Sequence, residues 1–340
     1  MTEAAEVRGA SERSDAWRAF AVFCGVALAL AALYLASALL FGDVSVFQDP
    51  NGRFGLVRLA RFNAALGLVL AYLCAALWLG QRWVRRGFPD LHPVVEASEA
   101  EWSAWRARAL SRGAVRLARA AALGAAGGVI VDVIGARAND AAAFWTGHLV
   151  WVYILNPALF AMMGMLIAMS NARAGVYQEL GRRARVTLGD IAPLAPFARA
   201  GLRTALLWFV GTSLASLLLV DTDSPMLVIS ILLATTAIAV ASLLAPSRGV
   251  HERLRDAKRR ELGWLRAEIA RASGALRAGD APGAAQLPAL LAWEARVLAA
   301  PDWPFDSGTV ARFGLFLLVP AGSWLGGALV ERVVERWFGA

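Results

Sequence analysis

Apolar stretches of about twenty residues alternate along this chain with polar stretches rich in arginine. Backbone groups in hydrocarbon have no water to bond, so a lone apolar stretch crosses a bilayer as a helix. Read this way, the pattern predicts spans over residues 19–41, 62–80, 120–135, 144–170, 202–220 and 226–245, and a last one within 303–331. The predicted fold class is therefore all-α: a polytopic helical membrane protein of about seven transmembrane helices.

The polar stretches divide the chain further. Residues 1–16 form a polar N-terminal tail, and 17–246 a six-helix transmembrane bundle with two basic cytoplasmic loops, 81–119 and 171–202. Residues 247–302 are the one sizeable polar region. In it Leu262, Leu265, Ile269, Ala272 and Leu276 recur at helical spacing, the run Gly279 to Gly283 breaks the helix, and a second helix follows from about Gln286. A cytoplasmic αα-hairpin is expected there, between the sixth and seventh spans. The seventh span occupies 303–331, and residues 332–340 are a C-terminal tail.

Charge sets the orientation. The formal net charge is +8, and seven spans with a cytoplasmic N-terminus place 27 Lys and Arg inside and 6 outside, leaving Arg312 within the last span. That asymmetry supports a cytoplasmic N-terminus, and an odd number of spans then leaves the C-terminus outside. The same basic residues could suggest nucleic acid, but they lie between apolar runs with no interleaved stripe of exposed aromatics, so no nucleic-acid partner is expected. Cys24 and Cys74 fall inside apolar runs, and His92, His148 and His251 lie in three separate segments. No metal site, cofactor or catalytic residue is expected, and no phosphate loop, HExxH or GxSxG motif is present. The chain reads as a non-enzyme.

Candidate functional residues are the polar groups that interrupt apolar surfaces. Asp132 is either buried in the third span, with a cation or amide as partner, or hydrated at an interface where that span has ended. Asn156, before Pro157, can bond across helices or line a polar path. Glu294 falls amid the apolar stripe of Leu287, Leu290, Leu291, Val297 and Leu298, so it is either paired or protonated. An arginine of the first hairpin helix or Arg312 would make it a clamp between the hairpin and the membrane domain, and a proton or ion site is the alternative. Asp306 can cap the last helix, Arg312 can snorkel to the interface, and Pro320 with Gly322 can kink it. Gly124 and Gly128 have the spacing of a close helix contact, while Trp145 and Trp151 suit an interfacial belt.

The run Glu294-Ala295-Arg296-Val297, then Trp303-Pro304-Phe305-Asp306 and Ser323-Trp324-Leu325-Gly326-Gly327-Ala328-Leu329-Val330-Glu331, resembles the C-terminal part of uncharacterised bacterial multi-pass inner-membrane proteins. That resemblance implies a location and no activity. The reading that follows is an integral membrane protein, with the lipid bilayer as its solvent, whose cytoplasmic hairpin binds a cytoplasmic protein or other copies in a homo-oligomer. The alternative is an ion channel or small-solute transporter with an intramembrane polar path.

Overall fold

The computed structural model describes residues 2–40, 58–111, 113–138, 147–219, 225–278, 285–305, 308, 310–311 and 313–315. The chain is all-α. Its helices are α1 (Thr2–Leu40), α2 (Arg58–Gly87), α3 (Glu99–Leu110), α4 (Ala114–Ala138), α5 (Gly147–Arg182), α6 (Ala195–Ala215), α7 (Pro225–Leu244), α8 (Arg248–Arg277) and α9 (Leu287–Ala299). Among the described residues the β features are the isolated bridges Val95 to Ala184 and Thr187 to Asp190. Among the described residues four helical stretches are long and apolar enough to cross a membrane, at Arg13–Leu39, Ala60–Val94, Glu99–Ile134 and Trp151–Arg182. This fits a membrane-embedded protein. So does the surface, because α1 and α4 expose Leu28, Leu33, Leu39, Leu123, Ile130 and Ile134, a face that water would penalise and lipid would not.

Helix α5 is the hub. It packs along α4 and α2, touches α1, α3 and α6, and meets the start of α8 at its far end. Its close approach to α4 is made possible by glycine. A Cβ at Gly128 would lie 2.6 Å from the Cα of Pro157, and one at Gly124 would strike the Phe160 carbonyl. From the other side, a Cβ at Gly164 would strike the carbonyl of Ala120. Without a hydrophobic force between helices in lipid, such backbone contact is the main source of association.

Helix α1 is fastened at two points. Trp151 Nε1 donates to Ser37 Oγ at 2.7 Å and its ring meets Tyr34 edge-on, so this tryptophan holds α1 to α5, a role its place near a helix end did not suggest. Nearer its N-terminus Asp15, buried, takes the Arg86 guanidinium of α2 at 2.6 Å.

The basic segments fold. Phe88, Leu91, Leu180, Leu194, Phe197 and Val250 are each at most 1% exposed and share one core with Trp102 and Trp105. Chain from residues 84–109, 176–197 and 250–254 thus converges in one layer at one end of the bundle. Local chemistry shapes each part. Ser98 and Glu101 form a capping box that starts α3, with Ser98 Oγ accepting from Glu101 N at 3.3 Å and Glu101 Oε2 accepting from Ser98 N at 3.1 Å. Glu96 N donates to Arg183 O and Arg185 N to Val94 O, stapling two extended pieces together. Pro196 sits in the first turn of α6, where its missing N–H costs nothing. Pro246, in the short 3-10 turn Ala245–Ser247, separates α7 from α8.

Candidate functional site

Among the described residues three polar constellations bear on function. The first is within the apolar zone. Helix α4 runs through Asp132 to Ala138, so the helix itself does not end before the carboxylate. Asp132 is 7% exposed, and Asn156 Nδ2 of α5 donates to its Oδ1 at 2.8 Å. Gly128, one turn before Asp132, sets the distance at which this bond forms. The pair ties α4 to α5, and neither residue lines the large cavity described next.

That cavity, of about 460 Å³, opens between α2, α5, α6 and α7 next to the basic layer. Arg173, Arg199, Arg203 and Arg248 line it, with Asp90 the one carboxylate among the described lining residues. Two of these arginines are held in place. Arg173 donates to Gln81 Oε1 at 2.6 Å, and Gln81, buried on α2, donates in turn to the Leu110 carbonyl. Arg203 lies over the Trp83 ring, its guanidinium carbon 5.8 Å from the centroid. Gly80 and Gly87, seven residues apart and so on one face of α2, leave the room: a Cβ at either would come within 3.2 Å of Arg173 or Arg203 respectively. Sequence reasoning missed this site. Its signal was present in Arg199 and Arg203, four apart where α6 enters its apolar stretch.

The third constellation joins α8 and α9. Leu265 and Ala272 of α8 and Val297 of α9 are buried, Trp293 Nε1 donates to Glu261 at 2.9 Å, and Arg266 Nε reaches Glu294 Oε1 at 3.5 Å. Glu294 therefore meets an arginine of the first of the two helices. Lys258 Nζ donates to the carbonyls of Leu298 and Ala300 and to Asp302, neutralising the C-terminal end of α9. The ring of His251 stacks on Trp303 with centroids 4.1 Å apart, and its Nδ1 lies 2.6 Å from the Asp302 carbonyl. The chain after α9 is thereby brought back to the start of α8. Phe313 then meets Phe209 of α6, centroids 5.5 Å apart.

The side chains of Asp306, Arg312, Pro320 and Gly322 lie outside the described residues, as do those of Trp145 and His148. His92 pairs with Glu99 at 3.2 Å on the surface of the layer. Among the described residues no group of three His, Cys, Asp or Glu is gathered as a metal site would require. Glu252, half-exposed on α8, accepts from Arg182 Nε of α5 at 2.8 Å, and that bond holds its carboxyl below the ordinary glutamate range. The architecture is that of an all-α protein with helices suited to a membrane. No protein family, curated protein or solved structure matches the chain.

Proposed function

We propose that this chain is a seven-span bacterial inner-membrane protein with a cytoplasmic N-terminus, and that it works without catalysis as a docking protein. Its α8 and α9 form a cytoplasmic arm that holds a protein partner or a second copy. The observation that carries this reading is the outer face of α9. Pro288, Ala289, Leu291, Ala292, Ala295, Leu298 and Ala299 are all exposed there, and the one charge among them is Arg296. A helix whose inner face already packs on α8 gains nothing within the chain from a second apolar face, and small residues beside leucines suit close approach by another helix. The inward orientation is supported by the gathering of the basic segments at the end of the bundle where α8 begins. The return of Trp303 to α8, and of Phe313 to α6, supports a seventh span entering beside α6.

Crosslinking in native membranes from a photoreactive residue placed at Ala295 tests the docking reading. A discrete adduct, with this chain or with one other protein, is expected, and Leu291→Glu with Leu298→Glu should abolish it. Labelling by lipid alone would end the reading. A second reading, a channel or small-solute transporter, is favoured by the cavity between α2, α5, α6 and α7. Flux of a small anion across liposomes carrying the protein, abolished by Arg173→Gln, is the outcome that would support it over docking.

A further inference from the structure

The basic cavity has two ends of opposite character. On α5, Arg173 lies seven residues, about 10 Å, from Leu166, further into the apolar zone. Helix α6 runs the other way and repeats the gradient, with Arg199 and Arg203 at the polar end and Leu207 and Trp208 deeper. Ile238 of α7 and Ile167 of α5 line the deep part and are both exposed, while α7 and α5 converge only toward the Ala245–Ser247 turn. Among the described residues the deep part is therefore open sideways, beside the apolar stretches of α5 and α7. The Phe209–Phe313 contact lies on the far side of α6 from this opening.

We propose that this cavity binds a phosphate-bearing amphiphile. Its phosphate sits among the four arginines, and its hydrocarbon tail leaves between α5 and α7 over Ile167 and Ile238. Three features argue for a built site over arginines that merely snorkel. Arg173 and Arg203 are each fixed by a neighbour of α2, Gln81 and Trp83, so little rotamer freedom is lost when an anion arrives. Gly80 and Gly87 clear the space that those two guanidinium groups occupy. The described lining holds four guanidinium groups and the Asp90 carboxylate, with Glu252 also acting on Arg248, so positive charge is in excess and a phosphate accepting paired N–H bonds answers it. Neutral or zwitterionic lipid would leave that field without a net counter-charge.

The test is native mass spectrometry of the full chain in mild detergent, offered phosphatidylglycerol, phosphatidylcholine or inorganic phosphate. Phosphatidylglycerol is expected to stay bound through detergent removal, phosphatidylcholine to leave, and phosphate alone to bind far more weakly. Arg173→Gln with Arg203→Gln should weaken retention by about tenfold per arginine lost. Ile238→Trp, which blocks the side opening and leaves every charge in place, should reduce lipid retention and leave phosphate binding unchanged. Equal retention of both lipids, phosphate binding as tight as phosphatidylglycerol, or full retention in the double arginine variant would each overturn the proposal. If the arginine variant does not fold, the tryptophan variant decides, and unaltered lipid retention in it overturns the site.

Discussion

Replacing Gly128 by alanine tests the seam on which α5 acts as hub. The added Cβ would stand 2.6 Å from the Cα of Pro157, whereas unstrained carbon contacts need about 3.5–4.0 Å. Both partners are backbone or close to it, so no side chain can turn aside, and α4 must move away from α5 by about 1 Å. The bond from Asn156 to Asp132 lies one turn further along, and the same shift lengthens it from 2.8 Å past the range of a hydrogen bond. Overpacking of this kind costs about 1–3 kcal/mol. Loss of an interhelical bond adds about 0.6–1.7 kcal/mol. The expected total is about 2–5 kcal/mol, read as a lowered melting temperature of the full chain in detergent. The coupling is the sharper test. Because Gly128→Ala already breaks the polar pair, Asn156→Val should add less in that background than in the wild type. Additivity of the two within about 0.5 kcal/mol would refute the coupling, and an unaltered melting temperature would refute the seam.

Other perturbations probe the remaining joints. Arg86→Met leaves Asp15 buried without its closest cation and should destabilise the chain by about 1–2 kcal/mol, discounted because Arg86 itself is partly exposed, with Asp15→Asn in the same chain restoring most of the loss in thermal unfolding. Lys258→Met removes the donor shared by Leu298, Ala300 and Asp302, so amide exchange should rise across residues 297–303 and not in α3. The Arg182–Glu252 pair links α5 to α8, and the folded carboxyl titrates below its unfolded value. Its small contribution is therefore present at neutral pH and is lost as pH falls through that lowered value, so a double-mutant cycle should show coupling at pH 7 and none once the carboxyl is protonated.

Several of these joints were legible in the residues alone. Glu294, set among leucines, reads as either paired or protonated, and Arg266 Nε lies 3.5 Å from its Oε1, a contact between α8 and α9 and not with the membrane helices. Leu265, Ala272 and Val297, placed inward by their spacing, are buried. Leu291 and Leu298, grouped with Val297 on the same grounds, instead face outward, because the true contact stripe on α9 runs through Leu287, Leu290, Trp293 and Val297. A stripe about 100° wide has an edge that sequence spacing does not locate. Gly124 and Gly128 carried only a weak signal in a segment full of alanine and glycine, and the Phe160 and Pro157 backbone behind them gives the spacing its meaning.

The sequence by itself determined that this chain is helical and where its longest apolar helices lie. In hydrocarbon each backbone group must find its partner within its own helix, so length and apolarity of a local run suffice to mark one. Tertiary structure alone decided that the arginine-rich segments form a packed layer, that Asp132 meets Asn156, and that Arg173, Arg199, Arg203 and Arg248 share one cavity. Those are contacts between helices far apart in the chain. They depend on which helix faces can approach closely, a matter of shape that no local pattern of apolar and polar positions records.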